Sequence, residues 1–256
     1  VTASVVDQQA ALMGHGCFEA GSIKATFGTG VFLLANVGEK LQVNRPDGIL
    51  STIAWQLNDS KPIYAVDAGV YNAGSAINWI RSLNLFRDFA DIDSFQLSSA
   101  ISRGLVFVPA LSGLASPFWD RSAAGMWLGM GLETKKEDLC QAALEGIALR
   151  TAQVLDAAAP LLGAHLSLSV DGGLIHNTYF CRFLADITQL KIVLPASPDM
   201  TALGTGRLAL IGGGFVKRLS ELPQAERPKA IIVPKKDLSH LKKRFSDAVN
   251  RARNWR

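Results

Sequence analysis

The chain is short of the patterns that mark membrane, secreted and metal-centred proteins. No apolar run approaches the roughly 18 residues that span a bilayer, and no leader peptide is recognisable at the start. Its three cysteines, Cys17, Cys140 and Cys181, are widely separated and form no Cys-x-x-Cys pair. That favours reduced thiols in the cytoplasm over a disulfide framework or a zinc site. The four histidines show no metal-ligand spacing, so no metal-ligating residue is assigned. A Gly-Lys-Ser/Thr phosphate loop is missing, and so is a Gly-x-Gly-x-x-Gly run opening a helix, so any nucleotide chemistry must be built by other means. No repeat of fixed short period is present. The net charge of +4 reflects basic residues gathered beyond Arg227, among them Lys235, Lys236, Lys242, Lys243 and Arg244. Leu238, Leu241, Phe245, Ala248 and Val249 recur there at helical spacing. Residues 227–256 therefore read as a basic amphipathic terminal helix with a solvated face, and neither nucleic acid nor a membrane is expected as partner.

What is present is a globular composition, 48% apolar over 256 residues, which can bury a large core. Val1 to Val6 is a short apolar run that stops at Asp7, and Gln8 to Gly14 carries helix formers, as in a strand-loop-helix unit. Ile23 to Phe27 and Val31 to Ala35 flank Gly28-Thr29-Gly30 as a hairpin. A second strand pair, Ile49 to Trp55 and Ile63 to Val66, precedes a helix from Asn72 to Leu83. Ser94 to Arg103 reads as a helix, Leu105 to Val108 as a strand, and Ala110 to Gly125 as a long structured loop of the kind that often carries function. Thr134, with Glu137 three residues on, is placed as the N-cap of a helix reaching Ala159. Strands at Leu166 to Val170 and Ile192 to Leu194 alternate with helices at Leu174 to Thr188 and Thr201 to Ile211, the last made of small residues suited to close packing. This alternation predicts an α/β fold with a parallel or mixed sheet covered by helices.

Four short turns beside these strands carry residues able to do chemistry, and each admits two readings. Asp7 either caps a helix or takes the proton of an attacking hydroxyl. Gly28-Thr29-Gly30 is a plain hairpin turn, or its amides and hydroxyl hold phosphate oxygens. The small residues from Gly74 to Asn78 serve close packing, or leave first-turn amides free for phosphates. Asp171-Gly172-Gly173 is a strand-to-helix turn, or lets the backbone approach a flat ligand. In this order the four resemble the C-terminal half of the FGGY family of carbohydrate kinases, and the glycerol kinases within it, from Asp7 to about Gly214. Ser116-Pro117-Phe118-Trp119-Asp120, Gly131 to Glu145 and Thr201-Ala202-Leu203-Gly204 are similar to structural segments of the family. Val6, Asn78 and Phe118 stand where a Gly, a Gln and a Tyr or His are usual.

The resemblance implies an actin-like ATPase (ribonuclease H-like) domain, a mixed sheet flanked by helices. It implies that residues 1–256 are the C-terminal domain of a two-domain cytoplasmic kinase whose N-terminal domain is absent. ATP and Mg²⁺ would be its cofactors, a small polyol or sugar its substrate and the N-terminal domain its partner, with homo-oligomerisation left open. Asp7 would be the catalytic base and a substrate contact, with Gln8 and Phe32 as further substrate contacts. Thr29 and Gly30 would face the transferred phosphate, Gly74 and Asn78 the nucleotide phosphates and ribose, and Gly173 and Asn177 the adenine. The implied reaction converts glycerol to glycerol 3-phosphate. The alternatives are a kinase of xylulose, ribulose, gluconate or erythritol, or a nucleotide-binding module without catalysis.

Overall fold

Alternation in two adjacent strands sets the centre of the molecule. Strand β1, Ile23–Phe27, and strand β2, Val31–Gly38, form the expected hairpin, with Phe27 opposite Val31, Thr26 opposite Phe32 and Lys24 opposite Leu34. Because side chains alternate across a strand, Ala25, Phe27, Val31 and Leu33 point to one face and join the larger core. Lys24, Thr26, Phe32 and Leu34 share the other face, where Leu34 packs with Leu12, Met13, Cys17 and Leu208 in a smaller core.

The computed structural model describes residues 1–43, 46–57, 60–163, 167–197, 199–223 and 227–256. The remaining elements are α1 Asp7–Gly14, β3 Leu50–Trp55, β4 Ile63–Val70, α2 Gly74–Ser82, β5 Val106–Val108, β6 Met126–Leu128, α3 Lys136–Leu162, β7 Ser167–Asp171, α4 Thr178–Thr188, β8 Lys191–Leu194, α5 Met200–Gly212, β9 Ala230–Ile232 and α6 Leu241–Ala252. Seven strands form one sheet in the order β3-β4-β2-β1-β7-β8-β9, and β5 pairs with β6 in a separate ribbon. Strands β1, β7 and β8 run parallel and the other pairings are antiparallel, so the sheet is mixed as expected. Buried residues of α2, α3, α4 and α6 fill the larger core on one face. Helices α1 and α5 cover the other and approach very closely. A β-carbon on Gly204 would lie 1.7 Å from the Ala10 carbonyl oxygen, and one on Gly14 would lie 1.9 Å from that of Met200. The small residues of α5 thus serve the close packing their sequence predicts.

Several expected elements are corrected. Val1 to Val6 forms no strand. Both positions beside β1 are taken by β2 and β7, and the segment instead lies on α5, where a β-carbon on Gly212 would meet the Thr2 carbonyl at 1.7 Å. Ser94 to Arg103 is not a helix: the amides of Ala100 and Ile101 donate to the buried Glu145 carboxylate at 2.8 and 2.9 Å, which draws them away from helical partners. Thr134 does not cap α3. Its hydroxyl accepts from the Gly131 amide at 2.9 Å, while Asp138 accepts from the Lys135 amide at the helix start. The helix expected from Leu174 to Thr188 is split into a 3₁₀ turn, Gly173–His176, and α4, because the Asn177 side chain accepts from the Phe180 amide at 2.7 Å and starts a new helix. The expected strand start at Leu166 lies outside the described residues. The terminal helix is confined to α6, with its predicted stripe Leu241, Phe245, Ala248 and Val249 buried, and the stretch before it includes the edge strand β9.

The long loop from Ala110 to Gly125 is tied down by the chain's end. Arg150 and Arg253 place their guanidinium carbons 5.2 and 5.0 Å from the Phe118 ring centre, and Asp120 accepts from the Asn254 amide at 3.0 Å. A Phe serves this cation-π stack. Among the described residues no helix is long and apolar enough to cross a membrane.

Candidate active site

Asp7 is the first residue of α1, exposed, with its Oδ1 accepting the Gln8 amide at 2.8 Å. The side chain does not cap the helix, since Val6 holds the N-cap position without a side-chain bond. A negative charge in the first turn is still favoured by the helix dipole. Gln8 follows, its Oε1 accepting from Lys24 Nζ and its Nε2 lying 3.4 Å from Asp7 Oδ2. Lys24 also donates to Thr26 Oγ1 at 2.9 Å and to the Phe32 carbonyl at 3.4 Å. Register places Thr26 beside Phe32 on one side and Asp171 on the other, so the three side chains share the face that α1 covers. Phe32 is 48% exposed there, a large ring left out of the core and free to meet a ligand's carbon skeleton.

The electrostatics of this end centre on a buried lysine. Burial pushes the Lys24 amine down to about 8, against the opposing pull of Asp171, Cys17, Asp67 and Asp7. Burial likewise raises the Asp67 carboxyl, with Lys24 working the other way. Asp171 is held below the usual carboxylate range: burial would raise it, but contacts from His15 and Thr26 and the charge of Lys24 outweigh that. His15 Nε2 lies 3.3 Å from Asp171 Oδ2.

Gly28-Thr29-Gly30 closes the hairpin and docks on the start of α2. The Ala73 and Ser75 amides donate to the Thr29 carbonyl at 2.9 and 3.1 Å, and the Gly74 amide to the Gly28 carbonyl at 2.9 Å. The first-turn amides of α2 expected to be free for phosphates are therefore engaged by this turn. Close approach also explains two glycines. A β-carbon on Gly30 would fall 2.5 Å from the Val70 carbonyl oxygen, and one on Gly74 2.6 Å from that of Gly28. The Thr29 side chain remains exposed.

A cavity of about 500 Å³ opens beside this clasp, lined by Gly74, Asn78, Gly173 and Asn177 together with Ile77, Phe89, Ile92 and Leu174. Four of the six residues expected at the nucleotide thus line one space, and Thr29 and Gly30 do not; its walls offer apolar faces to a flat ring and polar groups to its edge. Gly173 has no atom within 4 Å of a β-carbon position, so it opens to the cavity, whereas Gly172, at φ +95°, presses on the Phe27 carbonyl. Asn177 spans the cavity wall, donating from Nδ2 to the Ile92 carbonyl at 2.7 Å. Asn78 is exposed. The polyol-side residues Asp7, Gln8 and Phe32 are absent from the cavity lining.

Sequence reasoning missed Lys24, His15 and the part played by Asp171 at this site. Lys24 carries no motif that would single it out, and it is buried only when α1 and the neighbouring strands close over its face of the sheet. His15 comes near Asp171 only through the fold, 156 positions away in sequence by subtraction of their numbers.

The chain enters this sheet at its centre, adds β2 and β4 on one side and then β7 and β8 on the other, with helices on both faces. Turns at the ends of β1, β4 and β7 meet there, the first touching both the start of α2 and Gly172 through its own carbonyls and that of Phe27. This is the architecture of the actin-like ATPases. Residues 23–212 match the FGGY family of carbohydrate kinases, C-terminal domain. Over 225 residues the chain is 40% identical to glycerol kinase of Mycoplasma genitalium, covering 87% of this chain and 44% of that protein. Glycerol kinase of Francisella tularensis subsp. novicida is 39% identical over 254 residues, 97% of this chain and 50% of that one. The solved structure of Plasmodium falciparum glycerol kinase with ADP matches with a TM-score of 0.84 at 32% identity, over 96% of this chain and 50% of that chain. The chain belongs to the FGGY family of carbohydrate kinases. It spans about half the length of the curated relatives it matches.

Proposed function

We propose that this chain is the C-terminal domain of a two-domain cytoplasmic kinase that transfers the γ-phosphoryl group of ATP to a small polyol, converting glycerol to glycerol 3-phosphate. The observation that carries this reading is the joining of two clusters by one turn. Asp7, Gln8 and Phe32 lie on the α1 face, the cavity of Gly74, Asn78, Gly173 and Asn177 lies beside α2, and Gly28-Thr29-Gly30 runs between them.

In this mechanism Asp7 accepts the proton of a primary hydroxyl as its oxygen attacks phosphorus, while Gln8 and Phe32 fix the polyol. Thr29 and Gly30 face the transferred group, Gly74 and Asn78 the remaining phosphates and ribose, and Gly173 and Asn177 the adenine. Among the described residues no three His, Cys, Asp or Glu side chains gather as a metal cage. Mg²⁺ keeps several waters and is usually carried on substrate phosphates, so these residues fit an ion brought in with the nucleotide, where it would neutralise developing charge. The N-terminal domain would close the cleft over the exposed Asp7, Phe32 and Thr29 and exclude water.

Coupled-assay measurement of ADP release by the complete protein, with glycerol, xylulose, ribulose, gluconate and erythritol in parallel, tests the reading. Turnover is expected on glycerol above the others. Asp7→Asn is expected to lower kcat by about 10²–10⁴-fold with ADP affinity unchanged. ADP binding without turnover on any of these substrates would replace the kinase with a non-catalytic nucleotide-binding module.

A further inference from the structure

Resting on the polyol-kinase reading, we propose that Lys24 is a positioning residue that fixes the Gln8 side-chain amide, so that Gln8 donates a hydrogen bond to the substrate hydroxyl next to the one Asp7 deprotonates. Lys24 is wholly buried in the middle strand of the sheet, an expensive place for an ammonium group unless its donors are used. They are: its three contacts are Gln8 Oε1, Thr26 Oγ1 and the Phe32 carbonyl oxygen. An ammonium group has three donors and no acceptor. The Gln8 atom facing Lys24 must therefore be the oxygen, and the amide orientation, which a side-chain outline alone leaves open, is settled by chemistry. Nε2 is turned outward, 3.4 Å from Asp7 Oδ2.

A donor so fixed beside a base reads the substrate in a specific way. The hydroxyl that Asp7 deprotonates must face the carboxylate, and the neighbouring oxygen must present a lone pair to Nε2. A vicinal diol satisfies both groups, whereas an alcohol lacking that second oxygen leaves the Nε2 hydrogen not given to Asp7 Oδ2 without an acceptor on the substrate. Gln8 alone, free to rotate, would present oxygen or nitrogen and lose this selectivity. Lys24 also donates to the Phe32 carbonyl, and so ties the backbone of the exposed ring to the same ammonium.

The test uses the complete two-domain protein and compares kcat/KM for glycerol with that for 1,3-propanediol, which lacks the middle hydroxyl. Lys24→Met, of similar length and without donors, is expected to narrow the ratio by about tenfold, the scale of one hydrogen bond, while ADP affinity stays unchanged. A parallel fall for both substrates, or an unchanged ratio, overturns the proposal and leaves the kinase reading intact. Absence of turnover by the unmodified protein on any polyol overturns both. If Lys24→Met does not fold, Gln8→Glu keeps an acceptor for Lys24 but removes the donor. It is expected to fold and to narrow the ratio likewise, and an unchanged ratio there also overturns the proposal.

Discussion

Two adjacent glycines divide close packing from open space within a single turn. Gly172 has φ +95°, and a β-carbon there would sit 2.4 Å from the Phe27 carbonyl oxygen, whereas Gly173 faces open space. Gly172→Ala is expected to cost about 1–3 kcal/mol of stability from backbone strain, measured by urea unfolding. Gly173→Ala should leave stability within about 0.5 kcal/mol and weaken ADP binding about tenfold, equivalent to ~1.4 kcal/mol, by calorimetric titration. Equal effects of the two on unfolding would contradict this division. The three cysteines are buried, and burial pushes each thiol up to about 12. Iodoacetamide at pH 8 should therefore leave the native chain unlabelled and label it fully in denaturant, as mass spectrometry would record. Residue identities at the turns were legible in the sequence because glycine and small polar residues announce tight backbone. The environment of Lys24 was not, because it is assembled by a helix and by strands whose meeting on one face no local pattern records.

At the scale of elements, Glu145 on α3 does what no local pattern foretold. Its carboxylate accepts from the Ala100 and Ile101 amides and from the Tyr179 hydroxyl, bracing an irregular segment and α4 against the long helix. Burial, against these hydrogen bonds, lifts its acid to about 7 from the ordinary 4.5. The folded chain then holds a proton that the unfolded chain has released between those two values, so stability falls as pH rises through that window. The loss should reach up to about 3 kcal/mol at this one group, and Glu145→Gln should flatten that part of the pH profile while lowering stability overall by about 2 kcal/mol. Unfolding free energies of both proteins between pH 4.5 and 7 decide it. Strand and helix periodicity revealed the β1–β2 hairpin, β4, α2, α3 and α5, all long or strongly patterned. It failed where side chains redirect backbone donors, at Ala100 and Ile101 and at the Asn177 cap, and at the short strands β6 and β9, though β5, equally short, was read as Leu105 to Val108.

On the proposed two-domain reading, the molecule as a whole offers one wall of a cleft. Asp7, Thr29, Phe32 and Asn78 are exposed. Phosphoryl transfer depends on positioning and excluded water. This chain by itself should thus bind ADP at least about tenfold more weakly than the complete protein and release no measurable ADP from ATP. Side-by-side calorimetry and a coupled assay check both, and sustained turnover by this chain alone would show that the cleft needs no second wall. The clasp between the hairpin turn and α2 has a further consequence for how such a chain can diversify. On the hairpin side it uses only main-chain atoms, the Gly28 and Thr29 carbonyls, which accept from the amides of Ala73, Gly74 and Ser75 and from the Ser75 hydroxyl, so it is indifferent to which side chain stands at position 29 or 32. On the proposed kinase reading, substitutions that retune what the cleft accepts can therefore accumulate at its mouth while this turn keeps its shape, and inheritance of a new substrate need not begin with loss of the old scaffold.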